Sequence, residues 1–115
     1  MHIILNRKYW IFESIAQFKS LLAEDAKEVI EGNSSMKTDD LLALMEHIGI
    51  ENMVFEGGDY GRGFIEVIDT IFIRKDKLDV KVFEFIDKYK PDESDPCGSY
   101  DKFDGSENYW RFWWD

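Results

Sequence analysis

Apolar residues recur at helical spacing in the first third of the chain. Ser14 and Gln17 have the spacing of a capping box, in which two side chains satisfy free backbone N–H groups at the start of a helix. Apolar residues then fall near one face of a helix: Ile15, Phe18, Leu22, Val29 and Ile30. The pattern predicts a first helix that begins at Ser14 and ends before Gly32.

A second helical pattern follows a polar connection. Thr38 is placed to cap it, and Asp39 and Asp40 lie in the first turn, where the positive end of the helix dipole favours acids. Gly49 suits the left-handed residue after the last turn, so that Ile50 can fold back onto the helix. The apolar face consists of Leu41, Leu44, Met45 and Ile48.

Two patterns follow in the second half of the chain. Phe64 to Arg74 is rich in isoleucine, which favours a strand, but its apolar residues also match one helical face, and we favour a helix. If this segment is a strand, the sheet grows to include it. A further amphipathic helix ends before Pro91, and its apolar residues are Leu78, Val82, Phe85, Ile86 and Tyr89.

The remaining apolar segments suggest strands. His2 to Phe12 is typical of a strand or a short hairpin, and Met53 to Phe55 of a short strand. Gly57 to Gly63 predicts an irregular loop. Tyr109 to Trp114 is so aromatic that we expect a terminal strand or an anchored segment packed on the body.

These elements predict a helix-rich α+β fold, with about four helices packed against a small sheet made from the two terminal segments. An all-helical body is the main rival. The chain of 115 residues has the usual length of one domain, so we expect a single domain over 1–115. Its composition, 44% hydrophobic and 16% aromatic, is sufficient for a packed core.

The net charge of −10 comes from two regions of the chain. Residues 38–69 have eight acids against Arg62, and residues 91–115 have seven acids against Lys102 and Arg111, whereas the rest is slightly basic. Such clustering repels phosphate backbones and attracts basic partners. We therefore expect no direct binding to nucleic acid, although an acidic surface also serves solubility alone.

No catalytic or cofactor motif is evident. The loop from Gly57 lacks the ending of a phosphate-binding loop, and the acids after Asp101 lack the ligand spacing of a calcium loop. His2 and His47 have no triad partner in the sequence. We therefore expect no enzyme activity, no metal and no cofactor.

The sequence also predicts a cytoplasmic protein. Cys97 is the single cysteine, and no apolar run approaches the length of a membrane span. The amino-terminal segment carries Asn6, Arg7 and Lys8 within its apolar run and does not have the pattern of a signal peptide.

Carboxylates alternate with aromatic residues in the two acidic regions. Carboxylates can occupy the positions where a nuclease expects phosphates, and aromatic side chains add rigid contact area at low entropic cost. The candidate partner-binding residues are Asp39, Asp40, Glu56, Asp59, Tyr60, Tyr100, Asp101, Phe103, Asp104 and Glu107.

In size, acidity and these acidic and aromatic segments, the chain resembles bacterial immunity proteins of contact-dependent growth-inhibition or colicin-type systems. The resemblance implies a protein that neutralises a cognate basic toxin domain, commonly a nuclease, by covering its active site or substrate path. The alternative is a phage-encoded acidic mimic of nucleic acid that inhibits a host defence nuclease. A small enzyme or ligand carrier is a third interpretation, which would need a concave site with convergent polar groups.

Overall fold

The computed structural model describes residues 4–5, 9–22, 28–30, 36–58, 65, 67–98 and 103–115. Within these ranges the fold is α+β. The helices are α1 (Ile15–Leu21), α2 (Thr38–Ile48) and α3 (Val80–Tyr89). The strands are β1 (Ile4–Leu5), β2 (Trp10–Ile11), β3 (Glu28–Ile30), β4 (Met36–Lys37), β5 (Met53–Gly58), β6 (Val67–Arg74), β7 (Glu93–Pro96) and β8 (Tyr109–Trp113).

Six of these strands form one antiparallel sheet in the order β1-β2-β5-β6-β8-β7, and β3 and β4 form a separate pair. The two longest strands of the sheet, β5 and β6, pair from Met53 opposite Ile73 to Gly58 opposite Val67. A bulge interrupts this register between Glu56 and Gly57. The hairpin β1-β2 and the strand β8 confirm that both terminal segments belong to a sheet.

The two faces of the sheet carry hydrophobic clusters of different size. Side chains alternate between the faces of a strand, so Ile71 and Ile73 point to one face and Phe72 to the other. The first face carries the main core, which includes residues from all three helices. The second face carries a smaller cluster of Tyr9, Val54, Phe72 and Tyr109, with Phe103 packed against it.

The helices lie side by side on the first face. Phe18 of α1 stacks on Phe55 of β5 with ring centroids 6.1 Å apart. Phe112 of β8 and Trp114, the residue after β8, belong to the main core, and the indole N–H of Trp114 donates to the carbonyl of Tyr89, at the end of α3. Because α2 contacts both other helices, it lies between them.

The start of α1 is as predicted, but its end is not. The backbone N–H of Gln17 donates to Oγ of Ser14 at 3.0 Å, and Oε1 of Gln17 accepts from the N–H of Glu13 at 2.7 Å. The helix ends at Leu21, and Glu28–Ile30 is a strand, so the prediction of one helix up to Gly32 is wrong. Two of the three residues in β3 are β-branched, which favours a strand once β4 is available to pair with.

For α2, the predicted cap is wrong and the predicted end is correct. Lys37 occupies the capping position, whereas Thr38 lies inside the helix with a buried Oγ1 that makes no hydrogen bond, so the predicted cap is wrong. The predicted end at Gly49 is confirmed, since this residue has a φ of 90°. Nδ2 of Asn52 donates to the free carbonyl of Ile48, and Ile50 is buried beyond the turn.

The predicted helix over Phe64 to Arg74 is also wrong, because residues 67–74 form β6. This strand is central, with Ile71 and Ile73 buried on one face and Phe72 on the other. A strand buried on both faces has a continuous apolar run, and periodicity cannot separate such a run from a buried helix. The described residues therefore contain three helices instead of four, and their sheet extends well beyond the terminal segments.

The irregular loop predicted over Gly57 to Gly63 is contradicted at its first two residues. Gly57 and Gly58 belong to β5, while residues 59–63 lie outside the described ranges. The predicted helix before Pro91 is confirmed as α3, with Asp79 as its cap. Within the described ranges, no helix has the length and apolar character needed to cross a membrane.

Candidate functional site

The predicted partner-binding residues lie on both sides of the sheet. Asp39 and Asp40 belong to α2, on the first face. Glu56 alternates with Phe55 in β5 and therefore points to the second face, where Phe103 also packs. The other predicted residues in the described ranges are Asp104 and Glu107, which are exposed in the segment after Phe103, whereas Asp59, Tyr60, Tyr100 and Asp101 lie outside those ranges.

Asp40 is engaged in contacts within the protein. Its Oδ2 accepts from Nζ of Lys88 at 2.8 Å and from the hydroxyl of Tyr89. The hydrogen bond from Lys88, followed by that from Tyr89, lowers the pKa of Asp40 below its ordinary value. The charge of Asp40 is thus largely balanced, and its role is to join α2 to α3.

Phe103 is half-buried in an aromatic cluster. Its ring meets those of Tyr9, Phe72 and Tyr109 edge to face, with centroid distances of 5.0, 5.1 and 5.0 Å. Such pairs stabilise a core beyond the area that they bury. The structure therefore gives Phe103 a packing role, and it brings Asp104 to the second face with it.

The sequence-predicted set does not form one continuous surface. Asp39 stands on the helical side, whereas Glu56 and Asp104 belong to the opposite side of the sheet. Separation along the sequence gave no information on this point, because the side of a residue depends on strand register and on where the helices pack.

The structure brings acids from both acidic regions to the end of the sheet next to β7. They project to both faces, because Asp69 alternates with Thr70 onto the helical side, whereas Glu93 and Asp95 are on the second face with Arg111. We call this surface the acidic edge, and it consists of Asp69, Asp92, Glu93, Asp95 and Asp115. Backbone pairing places every one of them beside residues 111–115. Trp114 donates to the carbonyl of Asp69, Asp92 donates to that of Trp113, and Asp115 donates to Oδ2 of Asp92, at 2.8, 2.8 and 2.7 Å. Glu93 and Asp95 pair directly with Trp113 and Arg111.

Arg111 is the basic residue within this group. Its Nη1 lies 3.0 Å from Oε1 of Glu93 and 3.3 Å from Oδ1 of Asp95, and only 20% of its side chain is exposed. Burial lowers the pKa of Arg111, but the hydrogen bonds to both carboxylates outweigh burial and raise the pKa above its ordinary value. The guanidinium also lies over the ring of Trp113, 5.9 Å from its centroid.

The charge of the acidic edge is therefore only partly balanced. The five carboxylates and the guanidinium of Arg111 have a net charge of −4, and the guanidinium contacts Glu93 and Asp95. Four of the five acids are exposed, and Asp69 is half-buried. The arrangement can bind cationic side chains, and the contacts of Arg111 show how Glu93 and Asp95 together accept a guanidinium.

The backbone of β7 is poorly suited to pairing with another strand. It forms one end of the sheet, and all four of its residues are exposed. Pro96 has no N–H to donate, and acids and proline are typical of protected edge strands. A partner is therefore expected to contact the side chains of this edge.

None of the five acids of this surface is among the predicted partner-binding residues, because the strand β7 was not predicted. Glu93, Ser94 and Asp95 do alternate between acid and hydroxyl, the two-residue period of a strand, but the run is too short and polar to be read as one. The charge excess of residues 91–115 was the usable signal. The position of these acids at the edge of the sheet could be found only from the pairing of β7 with β8.

A groove between α2 and α3 is the second candidate site. It has a volume of about 340 Å³ and an apolar floor that includes Leu44 and Phe85. Of its charged lining residues, Asp40 and Lys88 pair with each other, while Lys81 and Glu84 have opposite signs. The balanced charge gives the groove no preference for a basic partner. Among the described residues, no group of three or more acidic, histidine or cysteine side chains is arranged to hold a metal ion.

Comparison with known proteins gives no family to which the chain can be assigned. No family model matches it, and no match was found among curated proteins or among solved structures.

Proposed function

We propose that this chain is an immunity-type inhibitor that binds a basic toxin domain through the acidic edge. Inhibition follows when the bound chain covers the active site or the substrate path of the toxin, which we expect to be a nuclease. The observation that carries the proposal is that backbone pairing places five acids beside residues 111–115, where Arg111 pairs with two of them. The five acids are Asp69, Asp92, Glu93, Asp95 and Asp115.

Electrostatics supports this type of partner. Exposed carboxylates of one sign steer a cationic surface during diffusional encounter and raise the association rate at low salt. A nuclease active site is lined with cations that bind phosphates, and carboxylates can take the positions of those phosphates. Half-exposed Trp113 beside the acids adds the aromatic contact area in which interfaces are enriched.

A growth test with a charge-matched control examines the proposal directly. The toxin used is the product of the gene adjacent to the one for this chain, and the readouts are the survival of cells that express both proteins and the association rate of the purified pair. The test variant combines Asp69→Asn, Asp92→Asn and Asp115→Asn, which removes three charges but keeps an acceptor oxygen at each position. The control combines Asp39→Asn, Glu46→Gln and Glu51→Gln, three exposed acids elsewhere.

We expect protection by the wild-type chain and association that slows as salt is added. At low salt the test variant should associate about tenfold more slowly, while the control variant should stay close to wild type. Absence of both binding and protection would remove the proposal. Protection of a phage against a defence nuclease, with no effect on a toxin, would favour the nucleic-acid mimic instead.

A further inference from the structure

Phe83 is a large apolar side chain that α3 leaves in water. It is 52% exposed, although the neighbouring Val82 is fully buried. Lys81, Phe85 and Lys88 line the groove on the α2 side of the helix. Because consecutive residues of a helix are about 100° apart, Phe83 lies on the opposite flank, away from α2.

We infer from the order of the elements that this flank is directed towards β7. The helices follow one another as α1, α2 and α3, and the strands beneath them end in the order β6, β8 and β7. Since α3 lies over β8 through the bond between Trp114 and Tyr89, its free flank is directed towards β7. The chain also runs from the end of α3 through Pro91 into Asp92 and β7.

Two further apolar residues lie on the same side of the sheet. Trp110 alternates with Tyr109 and Arg111, so its ring is on the helical face, where it is half-buried, and its indole N–H donates to Oγ of Ser94 at 2.9 Å. Pro96 pairs directly with Trp110, and opposed residues of an antiparallel pair share a face. Pro96 is exposed.

We propose that Phe83, Trp110 and Pro96 form an apolar strip that receives an apolar side chain of a basic protein bound at the acidic edge. The choice of partner rests on the proposed function and on the carboxylates that the same edge strand carries, since Glu93 and Asp95 alternate with Pro96 onto the other face of β7. This arrangement gives the interface an apolar centre with charged surroundings, the distribution found in protein interfaces. The acids then set the association rate, and the strip sets the rate of dissociation.

Two synthetic peptides test the strip without knowledge of the natural partner. The peptides are Lys-Lys-Trp-Lys-Lys and Lys-Lys-Ala-Lys-Lys, which have equal charge and differ in one apolar side chain. Binding is followed by NMR on the labelled full chain, which also locates the contact on the wild-type protein. The variants are Phe83→Ala and, as a control, Ile11→Ala, since Ile11 is 47% exposed on the other face of the sheet.

We expect the tryptophan peptide to bind about tenfold more tightly, equivalent to about 1.4 kcal/mol, and to shift the resonances of Phe83 and the Trp110 indole. Phe83→Ala should remove this advantage, and Ile11→Ala should retain it. The proposal of an apolar strip would be overturned, even if the toxin test succeeds, by equal affinities of the two peptides. Resonance shifts centred on residues outside the strip would overturn it as well. A change of oligomeric state in Phe83→Ala would overturn it in favour of a contact between copies, whereas loss of toxin protection alone would remove only the proposed function.

Discussion

Nε2 of His47 lies 2.7 Å from Oδ2 of Asp79, which joins the last turn of α2 to the residue that caps α3. The other oxygen of the same carboxylate, Oδ1, accepts from the N–H of Val82 at 3.0 Å. The hydrogen bond from Val82, followed by that from His47, lowers the pKa of Asp79 below its ordinary value of 3.8. One carboxylate therefore starts a helix and fastens it to its neighbour.

Stability should depend on the ionisation of Asp79. A lowered folded-state pKa means that the stabilisation is complete above about 3.8 and is lost as the pH falls through the lower value of the folded state. We expect Asp79→Ala to lower the free energy of unfolding at pH 7, and its difference from wild type to shrink in acid. Urea unfolding across this pH range measures the effect. Asp87→Ala, at an exposed acid of the same helix, should change little; equal losses in both variants would contradict the prediction.

Gly57 should not tolerate a side chain. A Cβ at this position would lie 2.0 Å from the backbone carbonyl oxygen of Val67, next to the bulge in the pairing of β5 with β6. Because backbone atoms cannot move aside as a flexible side chain can, Gly57→Ala should destabilise the protein by about 1–3 kcal/mol or more. Gly98→Ala has open space around the new methyl group and should stay within about 0.5 kcal/mol of wild type. Thermal and chemical unfolding of both variants provide the comparison.

The two tryptophans of the last segment that face the helices should differ in importance. Trp114 is 2% exposed, and its indole donates in the core to Tyr89, whereas the indole of Trp110 donates to Ser94 at the surface. Trp114→Phe leaves a buried carbonyl unsatisfied and should cost about 1–3 kcal/mol. Trp110→Phe exposes its former partner to water and should cost about 0.5 kcal/mol or less. Similar losses of unfolding free energy in the two variants would show that the buried hydrogen bond of Trp114 is no more important for stability than the exposed hydrogen bond of Trp110.

Removal of Arg111 should make stability depend on salt. Without this guanidinium, Glu93 and Asp95 repel each other from adjacent positions on one face of β7. We expect Arg111→Met to unfold at lower urea concentration than wild type and to recover part of the loss in high salt, which screens the repulsion. Arg74→Met breaks a more exposed pair with Asp76 and should show a smaller effect. An Arg111→Met variant whose stability is independent of salt would speak against repulsion at this edge.

Local sequence signals predicted part of the fold correctly. The capping box at Ser14, the end of α2 at Gly49 and the end of α3 before Pro91 depend on residues a few positions apart. The side chain of Ser14 or the ring of Pro91 acts on the backbone next to it. Such effects do not require knowledge of the rest of the molecule.

The sequence predicted that the candidate site is acidic, but it did not predict which residues form the site. The excess of acids in two regions correctly identified the kind of residue that the acidic edge contains. None of its five acids was selected from the sequence, because only backbone pairing with residues 111–115 brings them together. Phe103 was selected for contact but packs against Tyr9 and Phe72.

The amino-acid sequence by itself determined the charge of this protein and three helix ends, namely the start of α1 at Ser14, the end of α2 at Gly49 and the end of α3 before Pro91. Charge is a property of composition, and these ends depend on side chains next to the backbone groups that they affect. Tertiary structure alone decided that the isoleucine-rich segment is the central strand β6, because its apolar residues suit a helix or a strand equally until neighbours cover both faces. It also decided which acids share a surface, because strand register brings residues distant in sequence to the same edge.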